Sequence, residues 1–239
     1  MNGSLFYNNW GRYGGAITVG TMSFISIISS TFINNHALFG PAVYIPLFAT
    51  YKIDNCTFLN NDGVEGDSSI TVIFAMDESY TFNSFFKNNY VYGPGSAVGL
   101  WMANMIVENC TFDTNPNYNN DTTSIYLVAG IVKVKNSVFF NNLTSPVQKL
   151  VPGTLGDYLT DNFYNYYVST YSAPLGGFIY IGVDSNYLIN NCTFTNGLSK
   201  LGGAIYVTSA IGQSNITNSL FTNNTASESG GALFLSFAE

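Results

Sequence analysis

Asn55-Cys56-Thr57-Phe58-Leu59-Asn60-Asn61 decides the fold of this chain, because its pattern, Asn-Cys/Ser-x-Phe followed by Asn-Asn, returns every 26 to 28 residues. Further copies read Asn83-Ser84-Phe85-Phe86, Asn109-Cys110-Thr111-Phe112, Asn136-Ser137-Val138-Phe139, Asn191-Cys192-Thr193-Phe194 and Asn218-Ser219-Leu220-Phe221. Looser copies end at Phe6 and Phe32. A fixed period in this range marks a solenoid, in which no repeat can bury its apolar face without its neighbours.

A second motif follows each Phe by 11 to 13 residues: a turn, then a short run with period-two alternation, as in Gly14-Gly15-Ala16-Ile17 and Gly202-Gly203-Ala204-Ile205. Such runs read as strands. The Phe motif is another strand, and a third apolar anchor precedes its Asn by two residues at Ile53, Val107, Val134, Ile189 and Ile216. That anchor has the wrong parity to share a face with Cys and Phe on one straight strand. A left-handed bend at the Asn removes the conflict, since Asn tolerates that conformation better than other non-Gly residues.

Three short strands and three turns in about 27 residues predict one coil of a parallel β-helix. The Leu-x-x-Leu-x-Leu frame of leucine-rich repeats is missing, and Asn, Thr, Ile and Phe stand where helical repeats need Ala, Leu, Glu and Lys. Propeller blades run longer. The expected fold is all-β: a single solenoid of about eight coils over residues 1–239. Its one irregularity is a gap of 40 residues between Phe139 and Ile179, which leaves residues 143–172 as an inserted loop or a degenerate coil. Pro146, Pro152, a Tyr cluster from Tyr158 to Tyr171 and the lack of a Gly-Gly copy favour the loop.

The Gly-Gly-Ala-Ile and Phe-x-x-Asn pair (Phe58 to Asn61, Phe86 to Asn89, Phe139 to Asn142, Phe221 to Asn224) resembles the repeats of polymorphic outer membrane proteins and related surface proteins. Their frame is the right-handed parallel β-helix of the pectin-lyase-like superfamily, and the resemblance covers essentially the whole chain. It implies a surface protein. Such repeats also serve adhesins, autotransporter passengers and large protist surface proteins.

Composition narrows the function. Charged residues make up only 9% of the chain, whereas there are 30 Asn, so the polar surface is mostly amide and hydroxyl. That suits an extracellular, sugar-coated or self-packing surface better than a cytosolic one. A net charge of -7 with seven scattered basic residues argues against nucleic acid. The most apolar stretch, Met22 to Ile33, is too short and too serine-rich for a membrane span. No signal peptide is read at Met1. Both Met1 and Glu239 fall inside repeats, so the chain reads as a segment of a longer protein.

No catalytic set is legible. A polygalacturonase-like site needs clustered aspartates with Gly-His-Gly and Arg-x-Lys elements, but Arg12 is the only arginine, His36 the only histidine, and no Asp-Asp pair exists. Asp62, Glu65 and Asp67 could hold calcium weakly from one turn, yet read better as a solvated acidic turn. Cys56, Cys110 and Cys192 share one inward position in alternate coils. With coils stacked roughly 4.8 Å apart, they stand beyond the Cα reach of a disulfide, about 7 Å, and read as buried free thiols. No metal or cofactor is expected.

Eight Asn-x-Ser/Thr sequons occur, at Asn2, Asn55, Asn109, Asn120, Asn142, Asn191, Asn215 and Asn223. Asn120, Asn142 and Asn223 fall in turns or at the edge of the insertion, where a glycan has room. Asn55, Asn109 and Asn191 are corner residues, expected instead to form an internal hydrogen-bonded ladder and to be less glycosylated. In the Gly-Gly strands the outward residues are Thr18, Tyr44, Thr71, Gly99, Tyr126, Tyr180, Tyr206 and Phe234. The last four make an aromatic column that either stabilises the sheet or contacts sugar, a neighbouring chain or the inserted loop.

The sequence thus points to a non-enzymatic, glycosylated extracellular rod, structural or adhesive. Its expected partners are further coils end to end, from the same chain or another copy, and glycans. The alternative is a carbohydrate-active or polysaccharide-binding β-helix whose active residues lie outside this segment.

Overall fold

The computed structural model describes residues 1–63, 68–75, 77–91, 95–115, 123–142, 176–210, 212 and 214–236. All named strand pairs are parallel, and no helix occurs among these residues. The Phe sheet stacks eight strands, Leu5–Tyr7, Thr31–Ile33, Thr57–Leu59, Phe85–Lys87, Thr111–Asp113, Val138–Phe140, Thr193–Thr195 and Leu220–Thr222. The Gly-Gly sheet stacks eight more, from Ile17–Thr18 to Leu233–Leu235. Between them in each coil runs the Ile sheet, seven strands from Phe24–Ile28 to Asn215–Thr217. The chain is an all-β parallel solenoid, as its period predicts.

The coil contains one element that the hydrophobic pattern did not show. After the Phe strand the backbone turns again and forms a short fourth strand, at Trp10–Tyr13, His36–Phe39, Asp62–Gly63 and Tyr90–Val91. Later coils carry a separate pair, Leu198–Leu201 with Thr225–Ser229. These strands are as short as two residues, too brief for alternation to register.

Gly130–Lys135 pairs directly with Ser185–Asn190, and Val138–Phe140 with Thr193–Thr195. The insertion at 143–172 lies outside the described residues.

Like stacks on like along the axis. Phe6, Phe32, Phe58, Phe86, Phe112, Phe139, Phe194 and Phe221 form one inward column, with successive ring centroids 4.5 to 4.9 Å apart and planes within 12° of parallel. The six inner rings are fully buried. Ile27, Ile53, Thr81, Val107, Val134, Ile189 and Ile216 form a second column in register. Its odd member, Thr81, is explained by Tyr51, whose hydroxyl bonds Thr81 Oγ1 at 3.0 Å inside the core.

The corners are built on left-handed backbone. Asn55, Asn83, Asn109, Asn136, Asn191 and Asn218 all have φ between 49° and 54°, which reverses parity between the Ile and Phe strands. A second set, Asn8, Asn34, Asn60, Asn88, Asn196 and Asn223, makes the next turn at φ 50° to 60°. Side-chain amides that can bond locally make Asn the non-Gly residue least penalised there.

One residue beyond that second turn sits the buried polar spine. Asn35, Asn61, Asn89 and Asn115 are at most 1% exposed. Each Oδ1 accepts both the backbone N–H and the Nδ2–H of the Asn one coil earlier, at 2.9 to 3.1 Å. Each Nδ2 also donates to the carbonyl of a Phe in the preceding coil, Phe6, Phe32, Phe58 or Phe86. The internal ladder expected of the corner asparagines belongs instead to this Asn of the Phe-x-x-Asn motif. Asn142 departs from it: there the amide is exposed, and its backbone N–H bonds Thr114 Oγ1.

Three substitutions separate these layers. Phe112→Ala is expected to cost about 3–5 kcal/mol, the usual range for emptying a packed aromatic site. Asn61→Ala strips partners from Asn35, Phe32 and Asn89 and is expected to cost about 3 kcal/mol or more, whereas Asn109→Ala should cost only about 1 kcal/mol for the left-handed corner. Urea unfolding of the three variants checks the order. Equal losses at Asn61 and Asn109 would contradict the assignment of the ladder.

Candidate functional surface

The corner asparagines define one edge of the solenoid, and their side chains are exposed. Asn55 Nδ2 donates to Ser29 Oγ at 3.2 Å, Asn109 Nδ2 to Asn83 Oδ1 at 3.2 Å, and Asn191 Nδ2 to Asn136 Oδ1 at 2.9 Å. Asn83 and Asn136 in turn donate to the Asp54 and Glu108 carboxylates. An axial ladder therefore exists here, but on the outside. The expectation that it satisfies buried groups is corrected, because the bend that restores parity for Cys and Phe turns the Asn side chain away from the core. The remaining sequons Asn2, Asn142, Asn215 and Asn223 are also exposed, and Asn120 lies outside the described residues.

Tyr126, Tyr180, Tyr206 and Phe234 stack in one column with centroids 4.7, 5.5 and 5.4 Å apart, and Trp101 extends it against Tyr126 at 5.4 Å. It presents less surface than an outward column would suggest: Tyr126 is 6% and Tyr206 7% exposed. Stacking turns the ring faces toward one another along the axis.

A more exposed apolar row, which sequence parity missed, follows the Gly-Gly strand. Met22, Phe48, Phe74 and Met102 occupy equivalent turn positions, linked coil to coil through Met22 N–H to Leu47, Phe48 N–H to Phe74 and Phe74 N–H to Trp101. They are 79%, 44%, 38% and 50% exposed. All four are left-handed, with φ of 50° to 62°, a conformation that bulky residues rarely adopt. The signal was present as a large apolar residue at this turn in four successive coils, but it lies outside every strand pattern.

Charged groups are few, and four pairs of them meet among the described residues. The His36 Nδ1 and Asp62 carboxylate meet between adjacent fourth strands, and Lys87 Nζ stands 2.6 Å from Asp113. Asp62 is not part of a solvated acidic turn: the parallel register with His36 and Tyr90 buries it. Burial pushes its carboxyl up, against the opposing pull of His36. Glu65 and Asp67 lie outside the described residues. Among the described residues, no group of three or more His, Cys, Asp or Glu is placed to hold a metal ion.

Residues 218–236 match the family model of the Chlamydia polymorphic membrane protein repeat. The chain carries a polymorphic-membrane-protein-type repeat. The matched stretch contains both halves of the motif, Phe221 with Asn224 and Gly230-Gly231-Ala232-Leu233. In space it contributes one Phe strand, Leu220–Thr222, and one Gly-Gly strand, Leu233–Leu235. The preceding coils repeat both strands in register. No curated protein and no solved structure matches the chain.

Within this repeat the residue after the corner Asn is always Ser or Cys in the later coils, and the structure shows why. Ser84, Ser137 and Ser219 donate to the carbonyl two residues earlier at 2.6 to 2.9 Å. The same hydroxyls accept the backbone N–H of Cys56, Cys110 and Cys192 in the preceding coil, at 3.1 to 3.2 Å. The Cys thiols make the equivalent donation, to Asp54, Glu108 and Asn190 carbonyls at 3.2 to 3.3 Å. All three thiols are free and buried, each separated from the next by a serine rung.

Burial pushes the three thiols up, Cys110 from 9.0 to about 12. The folded thiol stays protonated after its unfolded counterpart has ionised. Its stabilising contribution is therefore complete below about pH 9 and is lost as pH rises toward 12. A thiol-reactive chromophore at pH 8 should label the native protein negligibly and the denatured protein at all three cysteines. Rapid labelling of Cys110 in the native state would contradict its position.

Proposed function

We propose that this chain is an extracellular structural or adhesive rod, glycosylated at exposed sequons, in a cell-surface protein or filament. The observation that carries the reading is the continuous parallel stack itself, with a repeat matched to a family of membrane proteins. An axial stack transmits position rather than enclosing a site, and its nearly charge-free amide and hydroxyl surface suits a sugar-coated exterior.

End-to-end continuation is supported by the polarity of the buried amide spine. Asn9, Asn35, Asn61 and Asn89 each donate to the amide oxygen one coil toward the C-terminus, and Gly197 N–H does the same to Asn224, so Asn9 offers an acceptor at one end and Asn224 a donor at the other. Phe6 and Phe221 are only partly buried at those same ends. A further coil, of this chain or a second copy, extends both columns without changing their register. The exposed Met22, Phe48, Phe74 and Met102 row is a lateral contact surface in this reading, together with the partly exposed Tyr180 and Phe234.

Surface biotinylation of intact cells, with antibody detection, tests the reading. Labelling before permeabilisation is expected, and electron microscopy of the released material should show an elongated particle. Protein reached by the reagent only after lysis would overturn it.

A further inference from the structure

Sequons follow a strict rhythm along the exposed corner edge. From the second coil to the eighth the corner residues are Ser29, Asn55, Asn83, Asn109, Asn136, Asn191 and Asn218. Only Asn55, Asn109 and Asn191 are followed by the Thr at the second position that a glycosylation acceptor needs, at Thr57, Thr111 and Thr193. The intervening corners read Asn-Ser-Phe, Asn-Ser-Val and Asn-Ser-Leu and are not acceptors. We propose that Asn55, Asn109 and Asn191 carry N-linked oligosaccharides, one on every second coil along a single edge of the solenoid. The proposal rests on the extracellular reading above.

The hydrogen bonding accommodates the sugars. Each acceptor Asn gives one Nδ2 hydrogen to a non-acceptor rung, Ser29, Asn83 or Asn136. A primary amide has two such hydrogens. Glycosylation replaces only the other one, so the axial bond and the left-handed corner both persist. Adjacent rungs are one coil apart, and the stacked Phe rings place successive coils 4.5 to 4.9 Å from each other. Skipping a rung doubles the separation between sugar chains that would otherwise crowd on one line.

In the transfer step the Asn nitrogen attacks the anomeric carbon of a lipid-pyrophosphate-linked oligosaccharide. A C–N bond forms, the bond from that carbon to the pyrophosphate oxygen breaks, the lipid pyrophosphate leaves, and Nδ2 loses one proton. The step takes place on the unfolded chain, because the middle residues Cys56, Cys110 and Cys192 are buried once the coils stack. The folded edge then has only to tolerate its sugars, and all three corners are exposed. This order puts the corner sequons on the same footing as the turn sequons, which were expected to be the better acceptors.

Enzymatic release of N-glycans in heavy-oxygen water marks each former glycosylation site as labelled Asp. Applied to protein from its native source after surface biotinylation, it should mark Asn55, Asn109 and Asn191 and leave Asn83, Asn136 and Asn218 unlabelled. Fragment spectra separate Asn109 from Asn120. Unmodified Asn55, Asn109 and Asn191 in surface-captured protein would overturn the sugar edge while leaving the surface reading intact; unmodified protein that never reaches the surface would overturn both. Thr57→Val, Thr111→Val and Thr193→Val keep the corner Asn and the strand, and each should increase gel mobility by one glycan. Three variants with unchanged mobility would equally reject the proposal.

Discussion

The structure depends on one constraint: identical residues must sit directly above one another at the spacing of a β-sheet. Nowhere is this stricter than in the buried amide spine of Asn35, Asn61, Asn89 and Asn115, where the first three side chains have both donors and the acceptor engaged by neighbouring coils. A coil longer or shorter between anchors would leave several buried polar groups without partners at once, at about 1–3 kcal/mol each. The Phe column tolerates small slips, because apolar contact is not directional. The amides do not, so they set the register and the phenylalanines supply burial.

The second dependence is on backbone handedness at the corners. A coil this narrow must turn sharply several times, and a straight strand cannot place both Ile53 and Phe58 inside. Left-handed residues solve this, and twelve of the twenty non-Gly residues at positive φ among those described are Asn. The asparagine-rich composition is thus largely a requirement of the corners and the spine. The exception is the turn carrying Met22, Phe48, Phe74 and Met102, where large apolar residues hold the same conformation at a steric cost of order 1–2 kcal/mol each. Nothing inside the coil calls for them, which sets that turn apart from the others.

Stacking also governs the chemistry of the few reactive groups. Cys56, Cys110 and Cys192 alternate with serines because thiol and hydroxyl can fill the same hydrogen-bonding rung. Alternation keeps sulfur from meeting sulfur. The pairing of Lys87 with Asp113 and of His36 with Asp62 follows from register, since each pair occupies matching positions on neighbouring strands.

What the sequence determined by itself was the periodic strand pattern: the coil, the Phe column, the parity reversal at Asn55 and its equivalents, the aromatic column and the isolation of the thiols. Period survives in one dimension because every coil repeats the same spacing, so the stacking partners could be named from residue counts alone. The tertiary structure decided which of two repeated asparagines faces inward. Corner Asn55 and spine Asn61 are both polar, both near a turn and both repeated, and no hydrophobic pattern distinguishes them. Only the direction of the side chain after a left-handed residue does, and that direction depends on three-dimensional backbone geometry. The same holds for the two-residue fourth strands and for the burial of Asp62 beside His36: these contacts exist only once neighbouring coils are laid on one another.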